Sequence, residues 1–115
     1  MKSLKFRKKL AKKIMSGEKT TTFRLFDDKN IVEGEEVELI IWEENKVFTN
    51  AKITKVMEKP FSDLTEEDFK GHEKYSSDEE MYNSFKEYYG DKVNSNTIVK
   101  IIRFSLTNPT SIPTS

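Results

Sequence analysis

The sequence contains no cysteine and only one histidine among its 115 residues. The lack of cysteine excludes disulfides, thiolate metal sites, iron–sulfur clusters and a cysteine nucleophile. A single histidine, His72, also excludes a metal site built from several histidines. We interpret His72 as a loop residue, with a catalytic role as the alternative. The fold must therefore be stabilised by the packing of its side chains.

Long apolar runs are also missing. The longest apolar stretch, residues 37–42, is interrupted by Glu38 and is far shorter than the roughly 20 residues that cross a bilayer. The N-terminus is too charged to contain the apolar part of a secretory signal. We therefore expect a cytoplasmic protein without a membrane partner. The chain has the length of a single domain, which we expect to be a monomer.

Charges of opposite sign are separated along the chain, although its net charge is zero. Residues 1–24 carry nine basic side chains and one acidic one, Glu18, whereas residues 63–91 carry ten acidic and three basic side chains. A basic N-terminal region can attract phosphate groups, and a solvated helix face is the alternative interpretation. The acidic stretch would repel an RNA duplex, so the pattern favours a nucleoside or a flipped base as ligand.

Hydrophobic periodicity predicts a small mixed β-barrel with helices packed around it. A short opening strand at residues 4–6 precedes a helix over residues 7–16, and Gly17 ends that helix. Further extended segments are rich in β-branched and aromatic residues, and they comprise residues 20–26, 37–42, 47–57 and 98–106. The second and third of these form a hairpin. The last is apolar on both faces, so we place it in the centre of the sheet.

An acidic two-helix insertion precedes the last strand. A capping pattern at residues 65–68 opens a short helix, and Ser76 opens a longer one. The inner face of the longer helix is expected to carry Met81, Phe85 and Tyr88. The fold class is therefore α+β, with about five to six strands. One domain covers residues 1–106, and a flexible C-terminal tail covers residues 107–115.

The segment from residue 17 to residue 24 carries the most distinctive chemistry. It lies between a helix and a strand, and it places three threonines, residues 20–22, between Lys19 and Arg24. These side chains can donate hydrogen bonds to a polar or anionic ligand, and an ordinary threonine-rich edge strand is the alternative. Lys19 and Thr22 point to opposite faces of a regular strand. They converge only if Lys19 lies in the turn before the strand, or if a bulge shifts the register.

Several motifs follow one another along the chain: Gly-x-Lys-x-x-Thr-x-Arg after a helix, paired strands, Phe-Ser-Asp-Leu-Thr-Glu-Glu-Asp, Gly-x-Glu before an acidic helix led by Ser, and a closing apolar strand. In this order they resemble the ASCH domain of the PUA-like superfamily, from about Leu4 to Leu106. The resemblance implies a PUA-like β-barrel with a ligand cleft beside the segment from Lys19 to Arg24. It also implies RNA or a modified cytidine nucleoside as the partner.

Some bacterial members of this family are small amidohydrolases that deacetylate N4-acetylcytidine with a lysine, a threonine and a glutamate. Carried over by motif, the resemblance implies catalytic roles for Lys19, Thr22 and Glu73, with no metal and no cofactor. Glu66 and Glu67 are alternatives to Glu73, but their place at a helix N-terminus already explains them. A non-catalytic RNA-binding module and a metal-dependent ribonuclease are the alternative functions.

We expect substrate contacts from four further residues: Arg24, Thr20, Gly17 and Phe26. Backbone N–H groups of the Gly17 turn are candidates for stabilising an oxyanion, and Phe26 and Trp42 are the aromatic residues best placed to stack on a base. Burial and the neighbouring Arg24 would lower the pKa of Lys19. A neutral Lys19 could then take the proton of the Thr22 hydroxyl.

Overall fold

A computed structural model describes residues 1–107, which form five strands, two α-helices and two single-turn 3-10 helices. The strands are β1 (Ser3–Phe6), β2 (Thr21–Leu25), β3 (Glu36–Ile41), β4 (Lys46–Pro60) and β5 (Ile98–Leu106). The helices are α1 (Lys8–Met15) and α2 (Asp78–Tyr89), with the 3-10 turns Phe61–Asp63 and Glu66–Phe69 between β4 and α2. Apart from residue 107, the predicted tail lies outside the described residues.

The five strands form one curled sheet in the order β1-β3-β4-β5-β2. Strand β1 pairs with β3 in parallel, and the other neighbours pair antiparallel. The predicted hairpin, now β3 and β4, and the interior position of β5 are both confirmed. Register shifts between Leu39 and Ile40 and between Ile53 and Lys55 help to bend the sheet. The α+β prediction is thus confirmed as a half-barrel whose edge strands are β1 and β2.

Strand β5 separates two clusters of buried side chains, which explains why both of its faces are apolar. Its residue Ile102 belongs to a cluster that includes Ile14 of α1, whereas Ile101 belongs to a cluster that includes Met81 and Phe85 of α2. Side chains alternate between the two faces of a strand. A strand that packs against a cluster of buried side chains on each of its two faces therefore carries apolar residues at most positions.

Helix α2 differs in two details from the prediction. Its N-cap is Ser77, whose side chain accepts a hydrogen bond from the Glu80 amide at 3.1 Å, and not Ser76. Met81 and Phe85 are buried as predicted, but Tyr88 in the last turn is 48% exposed. In the last turn of α2 it is Tyr89 that packs against the buried cluster, so the neighbouring Tyr88 ring lies on the surface. None of the helices within residues 1–107 is long and apolar enough to cross a membrane.

Candidate active site

A pocket of about 710 Å³ opens beside the edge strands β1 and β2. Its walls are formed by those strands, by α1, by residues 72–75 and by α2. This volume lies within the range of about 300–1,000 Å³ that small-ligand sites occupy. Four of the predicted site residues line it: Lys19, Thr22, Arg24 and Glu73.

Lys19 is buried at the inner end of the pocket, with 2% of its surface exposed. Its Nζ donates to Glu73 Oε2 at 2.6 Å and to the Thr21 carbonyl at 2.8 Å. The residue lies in the turn between α1 and β2, where its amide donates to the Lys13 carbonyl at 3.1 Å. Of the two arrangements that allow Lys19 and Thr22 to face one pocket, the protein therefore uses the turn before the strand.

Burial governs the protonation of the Lys19 and Glu73 pair. It lowers the pKa of Lys19 below its ordinary value, although the Glu73 carboxylate opposes the change and the Arg24 charge adds to it. Burial raises the pKa of Glu73, but the charge of Lys19, the hydrogen bond from Lys19 and the neighbouring groups together outweigh burial and leave the pKa below its ordinary value. Near neutral pH the two side chains form an ion pair from which Lys19 loses its proton more readily than an exposed lysine does.

Gly71 docks the segment that carries Glu73 onto the start of β2. The Gly71 carbonyl accepts hydrogen bonds from the amides of Thr20 at 2.9 Å and Thr21 at 3.1 Å. Gly71 has a φ of +77°, and a Cβ at this position would lie 2.0 Å from Thr20 Oγ1. Glycine is therefore required both by the left-handed backbone and by the close approach. The contact brings Glu73, two residues further on, into the pocket.

The Thr22 hydroxyl is held by Arg24. Thr22 is 5% exposed, and its Oγ1 accepts a hydrogen bond from Arg24 Nε at 3.1 Å. Arg24 Nη2 also donates to the Lys5 carbonyl at 2.8 Å, and its guanidinium lies 4.8 Å from the centre of the Phe6 ring. Arg24 thus links the two edge strands and directs a positive charge at the threonine oxygen. Within residues 1–107, no hydrogen bond joins Lys19 to Thr22.

His72 forms part of the pocket wall beside this pair. Its ring stacks on Phe23 with 3.9 Å between centroids, and its Nδ1 lies 2.8 Å from the Glu73 carbonyl oxygen. Burial, followed by the charge of Lys19, lowers the His72 pKa to about 4. The ring is therefore neutral at neutral pH. His72 is a loop residue, as expected. The sequence did not predict that its ring would pack beside the Lys19 and Glu73 ion pair.

The other three residues predicted to contact substrate lie outside this pocket. The Gly17 amide donates to the Ile14 carbonyl at 3.1 Å, so the helix end already uses the N–H group that was expected to stabilise an oxyanion. Thr20 is exposed and packs against the Gly71 segment. Phe26 is 50% exposed and packs on Tyr89 at 5.8 Å.

The alternative glutamates, Glu66 and Glu67, are not part of the pocket lining. Glu66 and Glu67 lie in the 3-10 turn whose N-terminus is closed by a capping box between Thr65 and Asp68. The Glu67 backbone carbonyl accepts a hydrogen bond from Arg103 at 2.6 Å. Among residues 1–107, no group of three or more His, Asp or Glu side chains is arranged to hold a metal ion.

Sequence reasoning missed several pocket residues that are far apart in the chain. The pocket lining includes Arg7, Lys9 and Lys13, and also Tyr88 of α2, which was expected on the inner face of its helix. Trp42, which was expected to stack on a base, lines the pocket too. The spacing of Lys9 and Lys13, four residues apart, places them on one helix face and is the one signal that the sequence offered. Nothing in the sequence pattern pairs Tyr88 with Trp42.

The curled half-barrel, with a helix leading into a strand of basic and hydroxyl side chains, defines a PUA-like domain. The ASCH domain family model matches residues 2–108, so the chain belongs to the ASCH domain family. This confirms the resemblance drawn from the motifs. The ASCH domain is a PUA-like, RNA-binding type of fold.

Solved structures with the same fold come from several organisms. A protein of Enterococcus faecalis V583 is 17% identical with a TM-score of 0.72, over 86% of this chain and 70% of that one. An ASCH domain of Lactobacillus crispatus is 16% identical with a TM-score of 0.63, over 84% and 69%. The ASCH protein of Zymomonas mobilis is 13% identical with a TM-score of 0.65, over 90% and 65%. No curated protein matches the chain.

Proposed function

We propose that this ASCH domain is an amidohydrolase that removes the acetyl group of N4-acetylcytidine, with Thr22 as nucleophile and Lys19 as its base. The observation that supports this most is the buried Lys19 ammonium, 2.6 Å from Glu73 Oε2, in the same pocket as the Thr22 hydroxyl. A lysine whose pKa is lowered by burial is the kind of base that a threonine nucleophile requires. A buried ion pair adds little net stability, so a role in stability alone does not account for it.

In the proposed reaction, the Thr22 oxygen forms a bond to the acetyl carbonyl carbon while its proton passes to neutral Lys19 Nζ. The tetrahedral intermediate then breaks its bond to N4. This nitrogen takes the proton from Lys19 and leaves as the amine of cytidine. Water hydrolyses the acetyl-threonine ester, which releases acetate and restores the hydroxyl. Lys19 therefore serves as base in the first step and as acid in the second.

The free protein requires two changes before this step, and the first is that the Lys19 ammonium loses its proton to water. Lys19 Nζ donates to the Thr21 carbonyl and to Glu73, and it must turn toward the Thr22 hydroxyl when the substrate binds. Catalytic hydrogen bonds are commonly long in free enzymes and shorten in the substrate complex. Arg24, which donates to Thr22 Oγ1 at 3.1 Å, would stabilise negative charge on the threonine oxygen during attack.

Glu73 is assigned to binding and orientation. Its carboxylate lines the pocket and keeps 23% of its side chain exposed. A carboxylate accepts hydrogen bonds from amide N–H groups, so Glu73 can hold the N4–H of the acetylated base. This contact would direct the acetyl carbonyl toward Thr22.

The direct test is to incubate the protein with N4-acetylcytidine and to quantify cytidine and acetate by chromatography. Thr22→Val preserves side-chain shape, and we expect it to lower turnover by about 10³-fold or more. Lys19→Met should have a comparable effect. Thr54→Val, at an exposed position of β4, is the matched control and should retain activity. No cytidine at high concentrations of folded wild-type protein would refute the proposal.

A non-catalytic RNA-binding module is the second candidate. The observation that favours it is the set of basic side chains along the pocket: Lys5, Lys9, Lys13 and Lys29. Such a module would bind RNA with an affinity that falls steeply with salt, because phosphate contacts release counterions, and it would release no cytidine. RNA cleavage that EDTA stops would instead identify a metal-dependent ribonuclease.

A further inference from the structure

Three exposed side chains with flat groups pack together at the pocket: Arg7, Trp42 and Tyr88. The Arg7 guanidinium carbon lies 4.2 Å from the centre of the Trp42 ring and 5.7 Å from that of Tyr88. The two rings are 5.7 Å apart. Trp42 is 44% exposed and Tyr88 is 48% exposed. We call these three residues the rim platform.

The rim platform is positioned by the ends of three different elements. Trp42 follows β3, and its amide donates to the Phe6 carbonyl at 2.8 Å. Arg7 is the N-cap residue of α1, and Tyr88 lies in the last turn of α2. Because the backbone of each residue is already ordered, the protein loses little conformational freedom when a planar ring stacks here.

Two lysines of α1 connect the rim platform to the inner end of the pocket. Lys9 and Lys13 line the pocket, and neither forms an ion pair within residues 1–107. The neighbouring Lys8, in contrast, pairs with Glu44 at 3.0 Å. Like charges one helical turn apart repel each other. An anionic group between Lys9 and Lys13 would relieve this repulsion.

We propose that the pocket binds two successive nucleotides of a single-stranded oligonucleotide. The first base enters the inner end beside Lys19 and Thr22, its neighbour stacks on the rim platform, and the phosphate between them contacts Lys9 and Lys13. The inference rests on the proposed function only for the identity of the first base. Bases of any sequence stack on Trp, Tyr and Arg side chains.

The size and charge of the pocket fit one strand. The volume of about 710 Å³ lies in the upper half of the range for small-ligand sites. Helix α2, which forms the opposite wall, carries acidic residues throughout its first turn, and Glu80 lines the pocket. These negative charges disfavour a second phosphate backbone at that wall.

Trp42 is the only tryptophan of the chain, so its fluorescence reports directly on the rim platform. We would titrate the full chain with the dinucleoside monophosphate CpA and, separately, with cytidine. Stacking on the rim platform should quench Trp42 fluorescence with CpA, and CpA should bind about tenfold more tightly than cytidine. Equal affinity for the two ligands, or no quenching by CpA, would overturn the inference.

Variants of the rim platform sharpen this test. Tyr88→Leu should weaken CpA binding by about fivefold to tenfold, with little change for cytidine. Phe26→Leu replaces an aromatic residue of similar exposure outside the pocket, and it should bind CpA as the wild type does. An equal loss in both variants would show that exposed aromatic residues in general, and not the rim platform, determine the affinity.

The lysines are tested by the effect of salt. Lys9→Gln should weaken CpA binding and flatten its dependence on salt, whereas Lys12→Gln, on the same helix but outside the pocket lining, should not. Deacetylation of N4-acetylcytidine without tighter binding of CpA would overturn this inference and leave the proposed function intact. Tight CpA binding without deacetylation would refute the proposed function and support the inference.

Discussion

Replacing Glu73 with glutamine should destabilise the domain, because it removes the charge that neutralises the buried Lys19. The two side chains are 2.6 Å apart, with 2% of Lys19 and 23% of Glu73 exposed. Removing one partner of a fully buried pair costs about 3–5 kcal/mol. Glu73 is partly exposed and glutamine can still accept a hydrogen bond, so we expect about 2–3 kcal/mol at pH 7.

The pH dependence of this cost follows from the direction of the Lys19 pKa. Burial places the folded-state pKa below the ordinary value of 10.5. The unfolded chain therefore binds more protons between the two values, and the free energy of unfolding rises with pH through that window. Loss of the Glu73 charge lowers the folded-state pKa further and extends the window toward lower pH. The cost of Glu73→Gln should thus be largest near neutral pH. It should decrease as the pH rises toward the folded-state pKa of wild-type Lys19, above which the buried amine is neutral in both the wild type and the variant.

The assay is urea unfolding followed by circular dichroism at several values between pH 6 and pH 10. The matched control is Glu44→Gln, which removes a surface contact of 3.0 Å to Lys8 between two exposed side chains. Such contacts contribute less than about 1 kcal/mol. A cost of Glu73→Gln that is no larger than that of the control, or that is identical at pH 7 and pH 10, would refute this reasoning.

A double substitution separates the charge from the packing. Lys19→Met combined with Glu73→Gln removes both charges and keeps similar side-chain volumes. Apolar replacements of a buried ion pair are often neutral or stabilising. The double variant should therefore regain most of the stability that Glu73→Gln loses, and stability as low as that of Glu73→Gln alone would contradict the electrostatic account.

Three further predictions concern residues around the site. Gly71→Ala should cost about 1–3 kcal/mol, because a φ of +77° strains a residue with a Cβ, and the added atom would crowd Thr20 and the hydrogen-bonded Thr21 hydroxyl. Gly34→Ala is the control, because Gly34 has a similar φ of +93° but a Cβ there would meet no atom within 4 Å. The Gly34→Ala variant should melt at a higher temperature than the Gly71→Ala variant. NMR should find the His72 ring neutral down to about pH 4. The unfolded chain binds more protons than the folded one between pH 6.5 and pH 4, so the free energy of unfolding should fall as the pH drops through this window. His72→Gln should reduce this pH dependence. Asp68→Ala should lower the free energy of unfolding by about 2 kcal/mol in urea, because it opens the capping box of the 3-10 turn.

The elements of the fold were largely predictable because their signals are local. Alternation and helical spacing identified all five strands and both α-helices, and the apolar pattern of β5 placed it inside the sheet. The errors arose where the local signal was ambiguous. Ser76 and Ser77 are each followed three residues later by glutamate, so the sequence alone does not decide which of them caps α2. Tyr88 and Tyr89 are adjacent at the end of the apolar pattern of α2, so the sequence alone does not decide which of them faces the core.

The site was predictable only in part, since its geometry depends on contacts between distant segments. The hydrogen bonds from Thr20 and Thr21 to the Gly71 carbonyl bring Glu73 to Lys19, and no spacing rule encodes them. Without the family resemblance, the sequence offered no reason to prefer Glu73 to the other acidic residues. Conversely, Gly17 is close to Lys19 in sequence, but its amide serves the end of α1. Proximity along the chain was a poor guide to the lining of the pocket.

The inner end of the pocket combines features that a purely structural role would not require. The left-handed Gly71 accepts hydrogen bonds from the amides of Thr20 and Thr21, and Lys19, whose burial opposes its charge, lies just before β2. An apolar pair would serve the fold as well as Lys19 and Glu73 do. Departures from the simplest packing concentrate at functional sites. A cation, a carboxylate and a hydroxyl line one cavity there, and this concentration of polar groups supports the proposal that the site acts on a bound ligand.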